Sequence, residues 1–172
     1  MGIEIEYKFL VKDDSWREAA YKAVPMAQGY INDQAAMDSG AQRASVRVRI
    51  AGEEAFLNLK SRDMGPTRQE FDYPIPLGDA RALLALCVGG TIEKRRHYVN
   101  HAGHVWEIDE FLGDNAGLMV AEIELAAAGE DFDKPVWAGA DVTDLPRYYN
   151  LALASHPYSR WSETERAAVD LV

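Results

Sequence analysis

Charged residues recur two apart along this sequence, and they are partly sorted by sign. Glu4, Glu6 and Lys8 alternate with Ile3, Ile5, Tyr7 and Phe9. Arg47 and Arg49 alternate with Val46, Val48 and Ile50, and Lys60 and Arg62 alternate with Leu57 and Leu59. Arg68, Glu70 and Asp72 follow, then Lys94 with Arg96, Glu107 with Asp109, and Glu122 with Glu124. Eight carboxylates and eight cations share this spacing. In an extended chain, residues two apart lie on one face. The ordinary meaning would be a solvated outer face over an apolar core. That reading leaves the sorting unexplained, because like charges two apart repel unless a counter-ion joins them. If the face turns inward, each uncompensated ion costs several kcal/mol against a total stability of ~5–15 kcal/mol. An inward charged face must therefore enclose water and ligand. Arginine and lysine clusters match phosphate oxygens. Carboxylate clusters match a hard divalent cation, Mg²⁺ or Mn²⁺. Together they point to a metal-bound polyphosphate.

The elements that would position these groups are mostly strands. Period-two alternation predicts eight, near 2–11, 27–35, 44–51, 54–62, 66–75, 91–100, 103–113 and 117–127. Ala51-Gly52-Glu53, Asp63-Met64-Gly65-Pro66, Asn100-His101-Ala102-Gly103 and Gly113-Asp114-Asn115-Ala116-Gly117 read as turns between consecutive strands. Such links imply antiparallel pairing. Helices are expected over 13–24, 78–88, 144–155 and 162–170, the last opening with the capping pattern Ser162-Glu163-Thr164-Glu165. Eight antiparallel strands leave two exposed edges unless the sheet closes. A closed barrel of that size has room for one small ligand; a sandwich is equally legal from periodicity alone.

Composition narrows the function classes. The chain of 172 residues fits one domain, 1–172, and its 48% hydrophobic content can supply a core. A net charge of −10 disfavours non-specific nucleic-acid binding, which normally needs a basic surface. No apolar run reaches the ~18 residues of a membrane span, and the acidic start does not resemble a secretory signal. Cys87 is the single cysteine, so no intrachain disulfide can form. These features suit the reducing cytoplasm. No Gly-x-x-x-x-Gly-Lys loop occurs, so a nucleotide would be held by its phosphates alone.

At these residues the sequence resembles the CYTH superfamily, the triphosphate tunnel metalloenzymes. Glu4-Ile5-Glu6-Tyr7-Lys8 matches its N-terminal Glu-x-Glu-x-Lys signature. Gln28-Gly29-Tyr30, Arg47-Val48-Arg49, Leu59-Lys60-Ser61, Arg68-Gln69-Glu70-Phe71-Asp72 and Glu93-Lys94-Arg95-Arg96 resemble later strand motifs in order. Trp106-Glu107-Ile108-Asp109, Ala121-Glu122-Ile123-Glu124-Leu125 and Arg147-Tyr148-Tyr149-Asn150 continue the series. The resemblance implies a mainly β (α+β) fold: an eight-stranded antiparallel barrel tunnel with flanking helices and a C-terminal helix. It also implies hydrolysis of a triphosphate with Mg²⁺ or Mn²⁺, foremost of inorganic tripolyphosphate. Thiamine triphosphatase, class IV-type adenylate cyclase and a non-catalytic polyphosphate-binding module are the alternatives. The His-Phe motif of the cyclase branch is absent before Glu4.

Carried over by position, the resemblance assigns Glu4, Glu6, Glu122 and Glu124 as the main metal ligands. Glu70 and Asp109 would hold a second metal or its water. Arg47, Arg49, Lys60, Arg68, Lys94 and Arg96 would bind phosphate. Lys8, crowded by other cations, would have a lowered pKa and position or deprotonate the attacking water, with Tyr30 tuning it by a hydrogen bond. Arg147 would reach the tunnel mouth or cap the barrel. The implied partner is a triphosphate-containing small molecule, with no nucleic acid or membrane; a homodimer is permitted.

Overall fold

In the computed structural model, which describes residues 2–62 and 66–167, strands dominate. They are β1 (Gly2–Val11), β2 (Ala20–Tyr30), β3 (Ala44–Ala51), β4 (Glu54–Ser61), β5 (Thr67–Pro74), β6 (Val88–His101), β7 (His104–Phe111), β8 (Met119–Glu124) and β9 (Ala138–Asp141). Helices are short: α1 (Gln34–Asp38), α2 (Leu77–Leu84), α3 (Asn150–Ser155) and α4 (Glu163–Ala167).

The strands run β5-β4-β3-β2-β6-β7-β8-β1, all antiparallel, and β1 pairs back onto β5. Glu4 stands opposite Arg68 at this seam, which closes an eight-stranded barrel and excludes the sandwich. Closure removes the open edges that an eight-stranded sheet would expose. Beyond the end of β5, β9 takes up the second half of β1, with Phe9 opposite Asp141 and Val11 opposite Ala138.

The apolar face points outward and is covered by chain wrapped around the barrel. Phe9, Trp106, Ile108 and Ile123 pack with Trp16, Trp137 and Ala138 on one side. Trp106 and Trp137 meet edge to face at 5.5 Å, a favoured ring geometry. Ile92, Phe111 and Val120 pack with Val142, Tyr148, Leu153 and Trp161 on another. The third cluster holds Val48, Ala55 and Ala80, with Leu83, Leu84 and Cys87 against it. Packing partners therefore leave the polar face no place but the interior.

Several expected boundaries move. The helix expected over 13–24 is a three-residue 3₁₀ turn, Arg17–Ala19, and β2 already begins at Ala20, not 27. Pairing decides this: Ala20, Lys22, Ala23 and Val24 lie opposite Val99, Tyr98, His97 and Arg96 of the long β6, and Trp16 is buried. Local helix preference is a weak prior against such a ladder. Residues 34–38, partly expected as strand, form α1, capped by Asp33 accepting from the Ala36 N–H. The helix expected over 144–155 splits into a 3₁₀ turn, Pro146–Tyr148, and α3, with extended Tyr149 between them. β9 was not foreseen, because four residues carry no readable period. The turn at Asp63-Met64-Gly65 and the tail beyond Ala167 lie outside the described residues.

Candidate active site

The alternate charged side chains of seven strands converge on a cavity of about 330 Å³ inside the barrel. Small-ligand sites commonly start at about this volume. Glu4, Glu6, Lys8, Tyr30, Arg47, Arg49, Lys60, Arg68, Glu70, Arg96, Glu122 and Glu124 all line it. Glu107 and Glu124 also line an adjoining surface groove with His104 and Glu130, which marks one mouth as acidic. At the other end, where β2 finishes and β3 starts, α1 and α3 contribute Met37 and Leu151 to the wall.

Most of the buried charges have opposite charges around them. Lys8 Nζ donates to Glu6 Oε1 at 2.6 Å and to Glu122 Oε1. Lys60 Nζ donates to Glu4 Oε1 at 2.6 Å and lies 3.5 Å from Glu70. Arg68 Nη2 lies 3.4 Å from both Glu4 and Glu6. Arg96 is the hub: its fork takes both oxygens of Asp109 at 2.7 Å and Glu122 Oε2 at 2.6 Å, and Nη1 reaches Glu107. Charge-assisted forks of this kind are strong and directional.

The titrations follow from this pairing. Burial pushes the Glu122 carboxyl up, but Lys8, Arg96 and Lys94 outweigh it and hold it well below the usual range. Burial and Glu122 raise Glu6, yet Lys8, Lys60 and Arg68 leave it lowered. Burial likewise opposes Lys60 and Asn58 at Glu70, which is also lowered. Glu4 and Glu124 move the other way. Burial raises Glu4, with Glu6 adding to it; burial raises Glu124, with Glu4 and Glu70 adding to it. Burial also lowers the Arg49 guanidinium to about 10, helped by Arg47 and Arg96. The cavity thus has a cationic stretch and a carboxylate-rich stretch where charge is incompletely neutralised.

Three expectations change. Lys8 is flanked by carboxylates and not by cations; burial alone would lower its pKa, but Glu122 and Glu6 leave it raised. Paired in this way it is held as an ammonium, opposite to the lowered value expected. Tyr30 does not reach Lys8; its hydroxyl lies 3.5 Å from Gln28 Nε2, and its ring joins the core beneath α3. Lys94 and Asp109 are not on the cavity surface. They are buried in the wall, joined to one another and to Arg96. Burial, with Arg96 and Arg49 nearby, pushes Lys94 down to about 7 despite Asp109. Both are accordingly placed to hold Arg96 in position. Arg147 stacks on Tyr148 and Trp161 and caps the barrel outside the cavity.

The structure adds residues that the spacing did not single out as ligands. Gln28 accepts from Arg49 Nε at 3.1 Å, and Asn58 donates to Glu70 at 2.6 Å. Both fall on the inward face of their strands, and that periodicity was the available signal. Tyr149 lines the cavity from the segment before α3, where no periodicity could flag it.

A divalent cation fits the donor chemistry of the acidic stretch. Glu4 Oε2 is buried without a hydrogen-bond partner, with only the Arg68 ion pair at 3.4 Å, and negative charge accumulates here, Glu6 and Glu70 adding to burial at Glu4 and Glu4 and Glu70 adding to it at Glu124. Hard oxygen donors of this type suit Mg²⁺ or Mn²⁺. Among the described residues, no three His, Cys, Asp or Glu side chains already converge as ligands; the carboxylates are turned to their lysine and arginine partners.

A closed antiparallel barrel whose interior carries sorted, ion-paired carboxylates and cations defines the triphosphate-tunnel class of protein. The chain belongs to the CYTH domain family, which it matches over residues 2–155. It is 42% identical over 164 residues to an inorganic triphosphatase of Acetivibrio thermocellus, covering 95% of this chain and 100% of the relative. It is 34% identical over 154 residues to an inorganic triphosphatase of Nitrosomonas europaea, covering 88% and 96%. Among solved structures, an inorganic triphosphatase superposes with a TM-score of 0.64 at 32% identity, covering 90% of this chain and 95% of that one.

Proposed function

We propose that this protein is a metal-dependent phosphoanhydride hydrolase that cleaves inorganic tripolyphosphate to diphosphate and phosphate. The observation that carries this reading is the convergence of sorted charges on one enclosed cavity. Both curated relatives bear the corresponding name.

Arg47, Arg49, Lys60, Arg68 and Arg96 bind and align the phosphate chain. Lys8 adds a point charge beside them. Preorganised cations in an enclosed cavity stabilise charge more strongly than water does. Glu4, Glu6, Glu122 and Glu124 would hold the divalent cation, with Glu70 beside them. When bound, Mg²⁺ or Mn²⁺ supplies Lewis-acid neutralisation of phosphate charge. Lys94 and Asp109 keep the Arg96 fork aimed. Water then attacks the terminal phosphorus in line, the bond to the diphosphate oxygen breaks, and one proton is released. The site needs no base recognition. Among the described residues no helix is long and apolar enough to cross a membrane.

Phosphate release from tripolyphosphate, thiamine triphosphate and ATP, each with Mg²⁺ or Mn²⁺, tests the assignment. Tripolyphosphate should be turned over fastest, and chelation should stop release while the fold persists. A strong preference for thiamine triphosphate, or cyclic AMP made from ATP, would overturn the substrate. Binding without release would make the protein a polyphosphate-binding module. Glu6→Gln should abolish metal-dependent turnover with the fold intact; unchanged turnover removes Glu6 from the site.

A further inference from the structure

We propose that Tyr149 is a positioning residue: its ring braces Lys8 and Arg68 together, so that both cations stay aimed at the phosphate chain once the carboxylates are engaged elsewhere. The proposal deepens the hydrolase reading and rests on it. Lys8 Nζ lies 5.3 Å and Arg68 Cζ 4.9 Å from the centroid of the Tyr149 ring. Both distances fall within the range of cation–π attraction. The ring is fixed at its far end, where the Tyr149 hydroxyl donates to the Thr143 carbonyl at 2.5 Å. Thr143 also pins the other partner, since the Lys8 backbone N–H donates to Thr143 Oγ1 at 3.0 Å. Thr143 is itself held by Asp141 Oδ1 at 2.6 Å, and the Val142 N–H donates to the Lys8 carbonyl at 2.9 Å. One short segment therefore fixes both the Lys8 backbone and the ring its ammonium rests on.

The physical need for an aromatic ring follows from the charge arrangement. Lys8 and Arg68 are otherwise oriented by Glu6, Glu122 and Glu4. These carboxylates are the proposed ligands of the divalent cation, and a carboxylate cannot serve the metal and fully orient an ammonium at once. A further carboxylate in place of Tyr149 would cancel cationic charge and repel phosphate. A neutral ring attracts the two cations through its quadrupole without cancelling their charge. It also supplies a rigid wall with few rotatable bonds, which limits the ordering cost of binding.

The test compares Tyr149→Leu and Tyr149→Phe for tripolyphosphate hydrolysis with Mg²⁺. Loss of a brace on two ground-state phosphate contacts should appear mainly in KM, because such contacts bind substrate and transition state alike. Tyr149→Leu should raise KM about tenfold and lower kcat less than about threefold, two cation–π contacts being at stake. Tyr149→Phe keeps the ring and should bring KM back to within about threefold of wild type. In an Arg68→Gln background, the Tyr149→Leu effect on KM should shrink, since interacting residues are not additive. Thermal unfolding of each variant separates folding loss from site loss. The proposal is overturned by a wild-type KM in Tyr149→Leu, by a Phe variant as impaired as the Leu variant, or by full additivity with Arg68→Gln. If the wild type releases no phosphate, the hydrolase reading falls by itself. Calorimetric Kd values for tripolyphosphate then judge Tyr149, a weaker Kd in the Leu variant supporting the brace and an equal one, or no binding, ending it.

Discussion

Replacing Arg96 by glutamine removes the guanidinium that joins three carboxylates inside the barrel. In the native protein its fork bonds Asp109 at 2.7 Å through two nitrogens, Glu122 at 2.6 Å, and Glu107. Without it, Asp109 keeps Lys94 and Glu122 keeps Lys8, so two of the three retain one counter-charge. Glu107 loses its ion-pair partner, and its pKa is already raised, by burial before any neighbouring charge. Removing one partner from a buried pair typically costs about 3–5 kcal/mol. The two retained lysines argue for the lower part of that range, about 3 kcal/mol, or a fall in melting temperature of roughly 10 °C. The pH dependence carries the sign. In the wild type, Asp109 and Glu122 have lowered folded pKa values, so their contribution is present above the unfolded carboxylate range and lost as pH falls through the folded values. In Arg96→Gln the contributions of Asp109 and Glu122 shrink but keep their sign through Lys94 and Lys8, whereas Glu107 loses the cation that lowers it and rises further, so its part of the stability is lost as pH rises above the unfolded carboxylate range. Urea unfolding of metal-free protein at several pH values measures both effects. An Arg96→Gln protein as stable as wild type at neutral pH, with an unchanged pH slope, would show that these carboxylates are not compensated through Arg96.

Other perturbations probe the acidic mouth and the outer packing. Glu124 is exposed at the mouth and burdened first by partial burial and then by Glu4 and Glu70. Glu124→Gln should therefore leave metal-free stability unchanged or improved by only a few tenths of a kcal/mol, roughly, because solvent screens the site. The same variant should weaken Mn²⁺ binding in a calorimetric titration; undiminished affinity would remove Glu124 from the proposed ligand set. A Cβ on Gly29 would stand 2.8 Å from Cys87 Sγ and 2.9 Å from Cys87 Cβ, so Gly29→Ala should destabilise by about 1–3 kcal/mol through overpacking. Adding Cys87→Ala should recover part of that loss in chemical denaturation, and a double variant no more stable than the single would place the strain elsewhere.

The alternating, sign-sorted charges were legible in the sequence because strand periodicity is local and because so many buried ions demand a shared ligand. That reasoning found the antiparallel strands and the charged strand residues that line the cavity from Glu4 to Glu124, while it left barrel and sandwich open and the family resemblance supplied the closed barrel. Which charge meets which was decided only by the closed barrel. Strand tilt and register bring Lys60 to Glu4 and Lys8 to Glu122, residues far apart in the chain. This is why Lys8 stands among carboxylates where cations were expected, and why Lys94 and Asp109 sit behind the surface they were expected to line. The Ala20–Val24 segment became strand because β6 was there to pair with it. Tyr149 entered the cavity because the chain returns over Lys8 through Val142 and Thr143. Periodicity fixes which face a side chain takes, whereas its neighbours across the barrel depend on closure, a property of the whole ring of strands.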